Sequence, residues 1–189
     1  MSMRENFDKS VKMHEACVSD ELRPALEHIY FKDGYAYASN AAVLVKNCIE
    51  DICFVCANQR QLLNGKLLHK DHYKEILKYN TITISEEGIE CVDRKSSRKA
   101  FFYFAKEGEY KYPDAEKVLQ NALNAKNTSV SEIGIKGNLI KIINNALFES
   151  DMCKFQFKGI GNPIVLQSTT SRSIGIIMPF ILSENGDSN

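Results

Sequence analysis

Three lysines, Lys70, Lys74 and Lys78, recur at four-residue spacing. On a helix that spacing puts them on one face. Such a row can neutralise phosphates, and it can equally be the solvated side of a surface helix. His69 and His72 flank Asp71 at the start of the same stretch. An isolated H-x-x-H pair is more often structural than a metal site. Cys53 and Cys56 make a C-x-x-C with Cys48 five residues earlier. Zinc ribbons use two such pairs, and the sequence holds no second one. Cys17, Cys91 and Cys153 complete the set. Most of the six sit in apolar surroundings, where Cys behaves as a small hydrophobe, so reduced structural thiols are expected. There is no H-E-x-x-H, P-loop, G-x-G-x-x-G or G-x-S-x-G. These residue types point to a non-catalytic protein that holds neither metal nor cofactor.

The elements that position these residues follow from periodicity. Residues 70–79 read as a helix with Tyr73, Ile76 and Leu77 as its apolar stripe. Leu139, Ile142, Ile143, Ala146 and Leu147 give residues 138–148 a second helix, with Asn138, Lys141 and Asn145 on the opposite stripe. A shorter helix is expected over residues 115–122. Strand-like runs cover 29–31, 35–39, 42–45, 65–69, 81–85, 89–93, 100–105, 131–136, 153–157, 163–167 and 174–178. Asp33-Gly34 is a strong hairpin signal between the first two. Residues 1–20 show little periodicity and read as an N-terminal extension. Residues 183–189 are polar and read as a disordered tail.

Composition limits the class. A chain of 189 residues with 44% hydrophobic and 25% charged residues can bury one core of good size, as a soluble globular protein does. No apolar run approaches the ~20 residues of a membrane helix. Residues 1–10 are charged and lack a signal-peptide core, so a cytoplasmic protein without membrane contact is expected. The formal net charge is zero, which gives no global argument for nucleic-acid binding.

The elements repeat. Residues 65–106 and 131–182 both run strand, helix, then three strands, so that Tyr73, Ile76 and Leu77 fall opposite Leu139, Ile142 and Ile143. Ser97-Arg98 falls opposite Ser171-Arg172. Residues 21–57 carry the three closing strands once more without a convincing helix, and residues 107–130 connect the second copy to the third. The expected fold class is α+β, with antiparallel sheets built from β-α-β-β-β units and two principal helices packed on the same side.

At this point two segments resemble the DNA sliding clamps, specifically the bacterial β-clamp of the replicative polymerase. Lys111-Tyr-Pro-Asp-Ala-Glu-Lys-Val-Leu119 is similar to the Phe-Pro-Asp segment that follows the second repeat of a clamp domain. Residues 132–135, the helix at 138–148, the three strands and the ending Ile177-Met178-Pro179-Phe180-Ile181-Leu182 look like the last half-domain of a clamp. The family ends in Met-Pro-x-Arg-Leu, and Ile181 stands here where the family has Arg. Arg23-Pro24 is similar to the Arg-Pro before the opening strands of a clamp domain. The pattern covers most of residues 20–182, about one and a half clamp domains where a clamp subunit has three.

The resemblance implies a function. Clamps line a central hole with helices whose Lys and Arg meet the phosphate backbone without reading sequence. Carried over, Lys70, Lys74, Lys78 and Lys141 become the duplex DNA contacts, weak and non-specific, in a homo-oligomer closed through edge strands such as 174–178 or 29–31. Clamps also bind peptides of polymerase- or repair-type partners in an apolar pocket beside the C-terminal strand. Met178, Pro179, Ile181 and Leu182 match that region. The competing reading is a protein-interaction or structural module that keeps the fold without binding DNA.

Overall fold

The computed structural model describes residues 5–20, 22–94 and 96–180. Two 3-10 turns, Met13–Ala16 and Pro24–Glu27, lead into β1 (His28–Lys32), β2 (Tyr35–Ser39) and β3 (Val43–Cys48). The short helices α1 (Ile49–Ile52) and α2 (Ala57–Gln61) follow, then β4 (Leu67–His69) and α3 (Lys70–Ile76). Next come β5 (Thr81–Ile84), β6 (Gly88–Asp93), β7 (Arg98–Tyr103) and α4 (Ala115–Asn124). The last elements are α5 (Gly137–Ala146), β8 (Cys153–Gln156), β9 (Ile164–Ser168) and β10 (Ile174–Ile177).

Three strand triplets therefore follow one another, β1–β3, β5–β7 and β8–β10. The first and third join into one antiparallel sheet in the order β4-β1-β2-β3-β10-β9-β8, while β5-β6-β7 forms a second sheet. The β1–β2 hairpin closes as its sequence requires. Asp33 and Gly34 both take positive φ, 50° and 82°, the backbone twist of a tight two-residue turn.

The main core lies between the helices and the sheets. It gathers Tyr73, Ile76 and Leu77 of α3, Leu139, Ile143 and Ala146 of α5, and the inner faces of both sheets. The two helices read from periodicity thus pack into the same core. Gly175 lets α5 sit close on β10, because a Cβ there would stand 2.5 Å from Ile143 Cδ1. A second, smaller core on the other face of the large sheet packs α4, through Ala115, Leu119 and Ala122, onto Tyr37, Leu44, Val165 and Ile176. Central strands β2, β3 and β9 are accordingly buried on both faces. α4 is as long as α5, so the described chain has three main helices where the sequence pattern singled out two.

Residues 5–20, set apart as an extension on sequence, carry core side chains. Phe7, Val11, Met13 and Ala16 are buried, and the turn Met13–Ala16 packs against both α3 and α5. It occupies the place that a helix takes before the other two triplets. The strands at 29–31 and 174–178, expected as free edges, are interior. β1 lies between β4 and β2, and β10 between β3 and β9. The outermost of the described strands are β4 and β8 in the large sheet and β5 and β7 in the small one.

Candidate functional site

The lysines expected to face DNA separate. Lys70 is tied down: its Nζ donates to Val18 O at 2.7 Å and to Ser19 Oγ, and lies 3.4 Å from Glu27 Oε1. Its side chain is only 14% exposed. Lys78 falls beyond the end of α3 and pairs with Glu75. Lys74 and Lys141 are exposed, on α3 and α5. Between those helices the turn Met13–Ala16 brings a lysine that the sequence reading did not single out. Lys12 is exposed and is anchored by its backbone, its N–H donating to Asn145 O at 2.8 Å. The helical face therefore presents Lys12, Lys74 and Lys141 rather than one stripe. Acids sit among them: Asp71 is exposed, and Glu15 Oε2 accepts from Asn145 Nδ2 at 2.7 Å. Such a surface carries modest positive charge.

The histidines gather at one corner. His28 and His69 lie edge to face with ring centroids 5.2 Å apart, and His69 and His72 are 5.7 Å apart. Burial lowers the pKa of His28 although its Nδ1 sits 2.9 Å from Pro24 O, and burial likewise lowers His72 and His14. Among the described residues no group of His, Cys, Asp or Glu has the geometry to hold a metal ion. Cys48 and Cys53 are buried and Cys56 is exposed. Burial pushes the thiols of Cys17, Cys53 and Cys91 up to about 12, which leaves them poor nucleophiles.

The connector builds a groove with β10. Residues 111–119 cross the outer face of the large sheet, with Tyr112 stacked on Tyr30 at 5.0 Å between centroids. Asp114 caps α4 by accepting from Lys117 N at 3.1 Å. Glu116 then pins the helix to the sheet, accepting from Tyr37 Oη at 2.8 Å and from Lys46 Nζ at 2.7 Å. Burial works to raise the Glu116 pKa, but the hydrogen bonds from Lys46, Gln120 and Tyr37 outweigh it and hold the carboxyl below its usual range.

Where α4 starts, an apolar cavity of ≈ 240 Å³ opens. Pro113 and Val118 form one wall, Ile176 and Met178 another, and Leu26, Ala42 and Leu44 from the first triplet close it. Met178 is held in place by its N–H, which donates to Ala42 O at 2.8 Å. Of the residues read as partner-binding, Met178 lines the cavity and is 39% exposed. Pro179 follows it, half-buried and outside the lining. Ile181 and Leu182 lie outside the described residues. The other wall, Leu26 with Ala42 and Leu44, was not legible as a site. It arises from the β3–β10 seam, which no local pattern announces.

No protein-family model matches the chain. No curated protein matches it either. Solved structures do. The DNA polymerase sliding clamp from Bacillus subtilis superposes with a TM-score of 0.61 at 11% identity, over 92% of this chain and 61% of that one. The β sliding clamp of C. crescentus gives 0.62 at 9% identity, over 92% and 63%. The DNA polymerase III β subunit from Borrelia burgdorferi, in complex with a natural product, gives 0.61 at 13% identity, over 95% and 63%. The chain thus spans less than two thirds of each of these clamps, and at such identities the likeness is one of fold. It has the α+β fold of the bacterial sliding clamps in a shortened form.

Proposed function

We propose that this protein is a non-catalytic, clamp-like binding protein that takes up an apolar segment of a partner protein between the connector and β10. The observation that carries this reading is the cavity lined by Pro113, Val118, Ile176 and Met178. It unites the two segments through which the sequence resembles a clamp, and in clamps the corresponding ending helps form a peptide pocket. Its size suits one or two apolar side chains of a short peptide.

The same reading includes duplex DNA as a second, weaker ligand, met by Lys12, Lys74 and Lys141 on the helical face of an oligomer. Three exposed lysines per chain neutralise few phosphates, so useful affinity requires several chains on one duplex. If DNA is not a ligand, the groove alone remains and the protein is an interaction module.

Selection of a random peptide library on the protein tests the groove. The expected result is enrichment of peptides with adjacent Leu, Phe or Met residues. Their affinity should fall at least about tenfold for Val118→Glu. Failure to enrich any apolar pair, or equal affinity for the variant, would remove the groove as a binding site. For the duplex, anisotropy of a labelled 30-base-pair probe should show affinity that drops steeply with salt. It should weaken when Lys12, Lys74 and Lys141 are changed together to Glu.

A further inference from the structure

The three triplets are closed in different ways, and the difference marks an interface. Each triplet is preceded by an extended segment that ties back to the chain just after that triplet. For the first, Phe54 N–H donates to Asn6 O at 3.0 Å, and Phe7 bridges Cys53. For the second, Ala105 N–H donates to Leu67 O at 2.9 Å. For the third, Phe180 N–H donates to Gly134 O at 2.9 Å. Leu67 lies three residues before α3 and Gly134 three residues before α5, so the second and third segments also match in register with their helices.

The first two triplets then use the far side of these segments to complete each other. β4 runs antiparallel along β1, pairing His69, Leu68 and Leu67 with His28, Ile29 and Tyr30. In return Ile82 N–H of β5 donates to Glu5 O at 2.7 Å. The leading strand of each triplet is buried as a result. Ile29 and Phe31 of β1 are 0% exposed, and Ile82 and Ile84 of β5 are 2% and 3% exposed.

The third triplet has no strand as such a counterpart among the described residues; the connector meets β8 at its end, where Thr128 N–H donates to Phe157 O at 3.0 Å. β8 is the last strand of the large sheet, and its outer edge carries no strand. No strand among the described residues lies along the far side of residues 134–136. Phe155 of β8 alternates with Lys154 and Gln156, so it shares the core-side face with Cys153 and Phe157, both of which pack against the main core. Yet Phe155 is 46% exposed, Met152 just before the strand 60%, and Ile140 on α5 45%. An aromatic on the core side of an open edge strand is a core built on one side only.

We propose that a second copy of this chain completes the third triplet. Residues 134–136 of each copy lie along β8 of the other, as β4 lies along β1. The contact is isologous, since each copy offers both the donor segment and the acceptor edge, so one two-fold axis satisfies both edges. Phe155 is then buried as Phe31 is in the first triplet. This interface does not rest on the peptide groove. It supplies the assembly that duplex binding would need.

The test is solution mass by light scattering on the full chain, for the wild type, Phe155→Asp and Tyr103→Asp. Tyr103 is an exposed aromatic on β7, away from this edge. Wild type is expected to hold an even number of chains, and Tyr103→Asp to match it. Phe155→Asp should fall to half that mass or less, with an unchanged circular dichroism spectrum because the side chain is half-exposed within one chain. A wild type that stays a single chain at high concentration would overturn the proposal. So would a Phe155→Asp variant that keeps the wild-type mass.

Discussion

β1 and β8 open their triplets in the same sheet, at equivalent places on either side of the β3–β10 seam, yet one is sealed and the other is not. Their core-side faces are alike, Ile29 and Phe31 against Cys153 and Phe155. What differs is the neighbour. β1 receives β4 and the buried residues around it, Leu63, Leu68 and Tyr73, while β8 meets none of these among the described residues. Burial of a strand is therefore a property of topology as much as of its own residues. The third triplet shares the main core through Leu139, Ile143 and Leu166, yet at β8 it leaves Phe155 half in water.

Truncating the two equivalent aromatics gives the largest contrast. Phe31→Ala removes a fully buried ring and should cost about 3–5 kcal/mol in urea unfolding of dilute protein. Phe155→Ala should cost less than about 1 kcal/mol under the same conditions, because its ring is already half in water. Equal losses would erase the distinction between the two strands.

Acid should act on one side of the comparison only. All four histidines, at positions 14, 28, 69 and 72, lie in or beside the first two triplets, and none lies in the third. Burial lowers the pKa of His14, His28 and His72 below 6.5, so each is harder to protonate in the folded protein than in the unfolded chain. The unfolded chain binds protons first as pH falls. Stability from these groups is therefore complete above pH 6.5 and is lost as pH drops through the lower folded-state values. The thermal midpoint should be flat above about pH 7 and decline toward about pH 5, a smaller effect than loss of Phe31. A midpoint that rises on acidification would contradict the burial of these rings.

Much of this architecture was legible in the residues, for identifiable reasons. Tyr73, Ile76 and Leu77, and Leu139 with Ile143 and Ala146, keep helical spacing because they face one core, and Asp33-Gly34 sets a hairpin by local sterics alone. The N-terminal core was not legible. Phe7, Val11, Met13 and Ala16 follow neither period, since they pass through a bridge, a loop and a 3-10 turn. The anchoring of Lys70 was not legible for the same reason. Its partners Val18 and Ser19 belong to a segment that gave no signal, and a lysine bonded to a backbone carbonyl looks the same in sequence as one facing solvent. Met178 lines the groove, but Leu26 and Leu44 reach it only through the pairing of β3 with β10. Strand order within a sheet is non-local, so 29–31 and 174–178 looked like edges and are interior.

Hydrogen–deuterium exchange measured across protein concentration tests the central claim most directly, that the first two triplets seal each other while the third is sealed by a second copy. Peptides covering β1 and β5 should show protection that does not change with concentration. Peptides covering residues 134–136 and β8 should exchange quickly in dilute protein and become protected together as concentration rises. Protection of β8 that is already complete and concentration-independent in a monomer, or exchange there that stays fast in the assembled protein, would contradict the account.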